Sequence, residues 1–282
     1  KPIWEKMKRH IKPLLILFIP AIAVSLYKYM DKIMIGIMSS KTQLGFYENA
    51  EKVINIPLTI ITSFGTVMLP KMSNLVASNN KEKTNQYIAL SMKYVMCLSF
   101  ALTFGLAGIG SVFAPVFWGQ EFELSGVLIM GLSITIPFMS FANIIRTQYL
   151  IPSEKDKEYL SSVIGGAVVN LIANTLLISR LGAIGATIGT ILAEVFVCMS
   201  QTLSVRKELP ILRYLKSTWI FAAFGFVMFL GVFGIGNTRG NNISTLLLQI
   251  ICGMIIYGGV CMIYFIRTKD AMFLKVWNKV KK

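Results

Sequence analysis

Apolar residues occur along this 282-residue chain in runs of about 20, and short polar segments separate the runs. An α-helix rises about 1.5 Å per residue, so a run of this length crosses the roughly 30 Å hydrocarbon core of a bilayer. The runs lie at residues 13–38, 46–70, 88–115, 125–150, 159–179, 185–205, 218–236 and 243–266. The pattern predicts an all-α fold, a polytopic membrane helix bundle of about eight transmembrane helices.

Basic residues are concentrated in alternate polar segments. With the amino terminus placed in the cytoplasm, most of the 28 Lys and Arg residues fall in cytoplasmic segments, and only Lys41, Arg180 and Arg239 fall in exoplasmic joints. This asymmetry is the positive-inside rule for short loops. It accounts for the net charge of +15 without nucleic acid as a partner. It also predicts a multi-pass protein of the bacterial plasma membrane with both ends of this chain in the cytoplasm.

The polar segments also divide the chain. Residues 1–12 form a basic, amphipathic linker that is expected to lie on the membrane surface. Residues 13–206 hold six runs, and a longer basic connection separates them from an additional helix pair within 207–266. Residues 267–282 form a basic, amphipathic cytoplasmic tail. Because the chain begins with Lys1 and shows no signal peptide, we expect it to be the carboxyl-terminal part of a longer protein.

Six ionisable residues interrupt the first two runs, namely Lys28, Asp31 and Lys32 in the first and Glu48, Glu51 and Lys52 in the second. Each triplet has the spacing i, i+3, i+4, which places its members on one helix face. Counting from the turn near residue 41 brings Lys32 to the depth of Glu51, and Asp31 to the depth of Lys52. The two helices are therefore predicted to pair their own charges.

Free energy limits how these charges can be placed. An Asp, Lys or Arg at the centre of a transmembrane helix costs about 2.5 to 3.5 kcal/mol, so six unpaired charges would cost roughly 15 to 20 kcal/mol. Net protein stabilities of about 5 to 15 kcal/mol cannot carry that cost. The side chains must pair or face water. Two interpretations stay open: a structural ion-pair network between two helices, or the wall of a hydrated cavity that contacts an anionic or sugar-bearing substrate.

Further polar residues stand in the later runs. Asn170 and Glu194 lie equally far from the turn at Gly182, so they are predicted to meet across a hairpin, as a structural hydrogen bond or as a substrate or proton site. Asn174 lies one turn from Asn170. Arg146 lies near the cytoplasmic end of its run, where it either snorkels to the surface or contacts a phosphate at the inner mouth of a cavity.

Enzyme chemistry has few candidates in this sequence. His10 is the only histidine and lies in the basic linker, which argues against an intramembrane acyltransferase or a zinc protease. No GxxxxGK(S/T) phosphate-binding loop occurs. The four cysteines lie within apolar runs without CxxC spacing, and we expect them to pack as small apolar residues. We therefore predict no enzyme activity, no cofactor and no metal site.

Two stretches carry a resemblance to a known family. Residues 31–73, "DKIMIGIMSSKTQLGFYENAEKVINIPLTIITSFGTVMLPKMS", and residues 169–194, "VNLIANTLLISRLGAIGATIGTILAE", resemble the second lobe of Wzx-type polysaccharide-repeat-unit flippases of the MOP superfamily, which also holds the MATE exporters. The positions that match the family pattern are Asp31, Lys32, Gly45, Tyr47 and Lys52. The resemblance implies two six-helix lobes about a pseudo-two-fold axis, with a V-shaped cavity between them. This chain would hold the second lobe, over residues 13–206, and two additional helices.

The resemblance also implies a function, which is the transport of an undecaprenyl-diphosphate-linked oligosaccharide from the inner to the outer leaflet by alternating access. The implied partners are this lipid-linked substrate, membrane lipids, polysaccharide polymerase or assembly proteins, and a coupled H⁺ or Na⁺. Together with the candidates found from the residues alone, the predicted substrate-binding residues are Lys28, Asp31, Lys32, Glu48, Glu51, Lys52, Arg146, Asn170 and Glu194.

Three alternatives predict other features. A MATE-like drug exporter would favour an acidic cavity, and the three lysines of the hairpin argue against it. A polymerase or ligase acting on the same lipid-linked sugars would favour a large exoplasmic loop, whereas the exoplasmic joints are short. A scaffold without a substrate would use the hairpin charges only as ion pairs.

Overall fold

A computed structural model of the chain describes residues 29–270 together with Phe273. The predicted linker over residues 1–12, most of the first apolar run and Lys28 lie outside the described residues, as does most of the predicted tail over residues 267–282.

The described part of the chain is helical and contains no strand. Residues 29–38 form the described part of helix α1. The helices that follow are α2 (Lys41–Ala77), α3 (Lys81–Trp118), α4 (Glu123–Ser133), α5 (Thr135–Ile145), α6 (Asp156–Leu181), α7 (Ala183–Val205), α8 (Ile211–Arg239) and α9 (Ile243–Arg267). Among the described residues, seven helical segments are long and apolar enough to cross a membrane. They correspond to the seven predicted runs after the first.

One predicted run is not a single helix. The run at 125–150 consists of α4, α5 and a π-helical turn over Arg146–Leu150. The backbone N–H of Arg146 still bonds to the carbonyls of Ala142 and Asn143, so the turn continues α5 without a gap. Single π-helical turns inside α-helices are frequent at functional sites.

Local sequence sets the ends of the helices. The side chain of Ser40 accepts a hydrogen bond from the backbone N–H of Gln43 at 3.2 Å and caps α2, which therefore begins before the apolar run does. Gly182, with φ +56°, makes the turn between α6 and α7. The backbone N–H of the next residue, Ala183, donates to Oε1 of Gln43 at 3.0 Å. This bond ties the turn to the first helical turn of α2.

Helices α6 and α7 form a closely packed antiparallel hairpin. A Cβ atom on Gly185 would lie 2.5 Å from the backbone oxygen of Leu177, so only glycine fits at this crossing. Buried residues of α2 to α7 form one hydrophobic core with Ile35 of α1. A second core lies around Phe221, Met228 and Tyr257, where α8 and α9 pack against each other and against α3.

Candidate functional site

A cavity of about 510 Å³ lies among α1, α2, α4, α5, α6 and α7. Apolar side chains such as Leu58 and Met139 form part of its wall. Charged and polar side chains from α1, α2, α5, α6 and α7 and from the π-helical turn form the rest. A cavity with this lining inside a set of membrane-length helices is a candidate path for a polar solute.

The cavity collects six of the nine predicted substrate-binding residues, which are Asp31, Lys32, Glu51, Arg146, Asn170 and Glu194. Glu48 and Lys52 are not among the residues that line it, and Lys52 is exposed on the surface of the chain. Lys28 lies outside the described residues.

Asp31 is a buried hydrogen-bond acceptor that joins four helices. Its Oδ1 accepts from Nδ2 of Asn170 at 2.9 Å and from Nδ2 of Asn174 at 2.6 Å. Its Oδ2 accepts from the hydroxyl of Tyr47 and from the hydroxyl of Thr190, both at 2.8 Å. The predicted pairing of Asp31 with Lys52 is wrong. Successive residues of a helix point about 100° apart, so Asp31 faces α6 and α7 while its neighbour faces α2.

Lys32 and Glu51 form the ion pair that the depth count predicts. Nζ of Lys32 lies 2.7 Å from a carboxylate oxygen of Glu51, and each side chain is 24% exposed. Both side chains line the cavity. Because the side chains of Lys32 and Glu51 are both partly exposed and line the cavity, their charges are partly available to a ligand that enters it.

Asn170 and Glu194 line the same cavity, from α6 and α7. The side-chain N–H of Asn170 points to Asp31, and Glu194 is 7% exposed. Close packing fixes this wall. A Cβ atom on Gly189 would lie 2.1 Å from Oδ1 of Asn174, the second amide that holds Asp31. The hairpin of α6 and α7 therefore positions the carboxylate through its amides.

The remaining cation of the cavity stands on the π-helical turn. The guanidinium of Arg146 lies 5.6 Å from the ring centroid of Tyr159, close enough for a cation–π interaction. Asn143, one turn earlier, also lines the cavity. Arg146 therefore places a positive charge on the cavity wall, one turn from Asn143.

Reasoning from the residues alone missed several polar residues of this site, among them Tyr47, Thr190 and Asn143. Tyr47 was named only through the resemblance, although it holds Asp31 and its hydroxyl lies 2.9 Å from that of Thr190. Thr190 gave no signal, because threonine is common in membrane helices. Asn143 did have a signal, since it is an amide in an apolar run three residues before Arg146.

A second ion pair lies outside the cavity. Glu208, in the connection between α7 and α8, accepts hydrogen bonds from Lys155 and from Tyr149. The hydrogen bond from Lys155, and then that from Tyr149, hold the pKa of Glu208 below its ordinary range. Neither Glu208 nor Lys155 lines the cavity. This pair ties three chain segments together at one end of the bundle.

A family model and several known proteins match the chain. The family model described as lipid II flippase MurJ matches residues 1–251. A relative from Shigella dysenteriae, named as an O-antigen transporter, is 23% identical over 67% of this chain and 47% of its own length. A relative from Haloferax volcanii, named as the low-salt glycan biosynthesis flippase Agl15, is 23% identical over 84% of this chain and 50% of its own length. Both names are marked as provisional.

A solved structure shares the fold. The structure titled lipid II flippase MurJ, inward closed conformation, superposes with a TM-score of 0.75 at 17% identity. The superposition covers 93% of this chain and 56% of that protein. The chain thus spans about half the length of the proteins it matches.

Proposed function

The chain belongs to the lipid II flippase MurJ family, and from this premise we propose that it is part of a flippase that carries undecaprenyl-diphosphate-linked oligosaccharide repeat units from the inner to the outer leaflet by alternating access. The family is one of transporters, not of enzymes. The proposal draws support from relatives whose names refer to O-antigen transport and glycan biosynthesis. In this proposal the protein acts in polysaccharide biosynthesis at the bacterial plasma membrane.

One observation carries the proposal, which is the cavity with two cations inside a membrane bundle. A diphosphate needs positive charge at close range, and Lys32 and Arg146 both line the cavity. Glu51 holds Lys32 at 2.7 Å and so fixes its position while lowering the net charge. A lysine whose charge is partly offset by a carboxylate binds a diphosphate less tightly than an unpaired lysine does. Weaker binding favours release of the substrate after transport.

The other polar residues of the cavity suit the sugar part of the substrate. Asn170 and Glu194 can exchange hydrogen bonds with hydroxyl groups, and Asp31 holds Asn170 in place. Outward movement of a diphosphate across an inside-negative potential is favourable by about 2.3 kcal/mol per charge per 100 mV. A coupled H⁺ or Na⁺ would add to this driving force.

The family match, not the charge of the cavity, separates the proposed function from a MATE-like drug exporter. Lys32 and Arg146 stand beside three carboxylates, Asp31, Glu51 and Glu194, so the charge count alone favours neither function. The family described by the matching model is one of lipid flippases. The polymerase and ligase alternative has no observation in its favour.

The test uses the chain joined to the first lobe that the proposed fold implies, in cells whose surface polysaccharide depends on it. Lys32→Gln, Glu51→Gln and the charge exchange Lys32→Glu with Glu51→Lys are compared for protein level and for surface glycan. Matched controls are Lys155→Gln and Glu208→Gln, which break an ion pair outside the cavity.

We expect all three cavity variants to lose surface glycan at normal protein level, and the two controls to keep it. Full rescue of glycan by the charge exchange would contradict the proposal. It would show that the pair of Lys32 and Glu51 only holds α1 and α2 together.

A further inference from the structure

One face of α2 is polar where a membrane helix is usually apolar. Thr59, Thr62, Ser63 and Thr66, which we call the hydroxyl face, are all exposed and lie on one side of the helix. Thr59 and Thr62 line the cavity, as does Asn55 one turn before them. Polar groups at this depth must meet a polar partner, because hydrocarbon offers them none.

The hydrogen bonds of the hydroxyl face determine what it can bind. Thr59 donates its proton to the carbonyl of Asn55 at 2.8 Å, and Ser63 donates to the carbonyl of Thr59 at 2.7 Å. Thr62 and Thr66 each donate to a carbonyl of the preceding turn, both at 3.1 Å. Since the protons are used within the helix, the oxygens present lone pairs to the outside. The hydroxyl face therefore offers acceptors.

The acceptor oxygens of the hydroxyl face can bind only those parts of a lipid-linked sugar that donate hydrogen bonds. An ionised diphosphate has only acceptor oxygens to offer, whereas sugar hydroxyl and acetamido groups carry O–H and N–H donors. No Asp, Glu, Lys or Arg occurs between residues 53 and 70, so no charge competes with this selection. The chemistry of the hydroxyl face fits neutral sugar, not phosphate.

Asn143 supplies a second, independent observation. It is 5% exposed, it lines the same cavity, and neither atom of its amide has a hydrogen-bond partner among the described residues. An unpaired buried polar group costs about 1 to 3 kcal/mol. A Cβ atom on Gly65 would lie 2.4 Å from Oδ1 of Asn143, so the amide packs directly against α2, three residues along the helix from Thr62. An amide both donates and accepts, as a hydroxyl group does.

We propose that the hydroxyl face and Asn143 together form a subsite for the sugar of the lipid-linked glycan, distinct from the cations that hold the diphosphate. This inference rests on the proposed function and assigns the two parts of the substrate to different residues of the cavity. The sugar lies between α2 and α5, while Lys32 and Arg146 hold the phosphates. Substrate selectivity then depends on neutral residues that carry no charge signal in the sequence.

The test measures binding of short-chain probes to the 282-residue chain in nanodiscs, by native mass spectrometry. The probes are geraniol, geranyl diphosphate and geranyl diphosphate carrying one N-acetylglucosamine. For the unchanged chain we expect geranyl diphosphate to bind more tightly than geraniol. We expect the sugar to add about a further tenfold in affinity, as two or so net hydrogen bonds would.

The variants separate the two sets of residues. Thr59→Val with Thr62→Val removes acceptor oxygens and keeps the side-chain shape, and Asn143→Leu removes the amide. Each should lose about tenfold for the sugar-bearing probe and change the affinity for geranyl diphosphate less than twofold. Thr62→Ser, which retains the oxygen, should keep the sugar preference. The matched control is Thr175→Val, an exposed threonine of α6 with the same type of backbone bond, at 2.7 Å, and no place in the cavity.

The possible results are distinct. If the sugar adds nothing in the unchanged chain, or if the variants lose both diphosphate probes equally, the subsite is wrong and the proposed function stands. If geranyl diphosphate binds no better than geraniol, the proposed function fails and the subsite fails with it. If Thr175→Val loses as much as the double variant, the effect belongs to helix structure and the subsite is again wrong.

Discussion

The cavity and the pair of helices α8 and α9 use buried polar residues in opposite ways. In the helix pair, Gln249 donates to the backbone carbonyls of Val232 and Gly108, and the hydroxyl of Tyr257 donates to the carbonyl of Cys97. In the cavity, the hydrogen bonds that cross between helices join side chain to side chain, and Asn143 bonds to none within the described residues. Side chains that donate to a backbone carbonyl of a neighbouring helix hold the two helices together, whereas the polar side chains of the cavity line a space that a ligand can enter.

Of the variants considered, replacement of Asp31 should have the largest effect on the free energy of unfolding. Asp31→Leu removes the acceptor of Asn170, Asn174 and Tyr47, while Thr190 keeps its bond to the carbonyl of Ala186, and each buried polar group left unsatisfied costs about 1 to 3 kcal/mol. We expect a loss of at least about 3 kcal/mol in the free energy of unfolding, because partial repair by water offsets part of the sum. Thermal unfolding in detergent measures it. Equal melting of Asp31→Leu and Asp31→Asn would contradict the role of the carboxylate as an acceptor of four bonds.

Gly189→Ala should have the next largest effect. The added methyl group would meet Oδ1 of Asn174 and push on the amide that holds Asp31, at a cost of about 1 to 3 kcal/mol. Gly258→Ala in α9 is the matched control, since nothing lies within 4 Å of its Cβ position. That change should leave the melting temperature the same or raise it slightly. A control variant as unstable as Gly189→Ala would mean that close packing of the cavity wall is not the cause.

Gln249→Leu should have a smaller effect and should not affect transport directly. Buried side-chain hydrogen bonds between membrane helices contribute about 0.6 kcal/mol on average, so we expect a loss of about 1 kcal/mol or less. Surface glycan, normalised to protein level, should stay unchanged. A loss of glycan at normal protein level in this variant would contradict the interpretation that α8 and α9 are structural and that the cavity binds the substrate.

The smallest effect should come from Glu208 and should depend on pH. Its pKa is lowered in the folded protein, so the stability that it adds is present above its ordinary pKa of 4.5 and is lost as the pH falls through the lower folded value. The side chain is 40% exposed, which limits the contribution to about 1 kcal/mol or less. Melting temperatures of the unchanged chain and of Glu208→Gln should differ at pH 7 and converge as the pH falls below about 4. A constant difference across this range would exclude ionisation of Glu208 as its source.

Depth along a membrane helix could be predicted from the sequence, but rotation about the helix axis could not. Counting from a turn placed Lys32 opposite Glu51, and the structure confirms that pair at 2.7 Å. The same count placed Asp31 opposite Lys52 and was wrong, because Asp31 turns to amides more than 130 residues away. The seven described membrane-length helices follow the apolar runs closely, since burial in lipid needs nothing beyond length and composition.

Neutral residues of the site were the hardest to predict. Charges stand out in an apolar run because they cost free energy there, whereas Thr59 and Thr62 satisfy their own protons within the helix and so give no such signal. Thr190 likewise gives no signal in the sequence, because its hydroxyl bonds to the carbonyl of Ala186 in the same helix, at 2.9 Å, as well as to Asp31. What a hydroxyl group does beyond its own helix depends on which helix faces it, and that information lies in the fold.

The hydrogen bond between Gln43 and the turn at Gly182 limits how α2 can move relative to α6 and α7. This bond fixes one point of α2 on the hairpin of α6 and α7, and Tyr47 fixes a second point through Asp31 and Thr190, one turn further along α2. While both contacts hold α2 against the hairpin, α2 can rotate only about the line that joins the two contacts. That line runs along α2 itself. An opening motion that keeps both contacts carries α2 together with the hairpin, and its pivot lies elsewhere in the bundle.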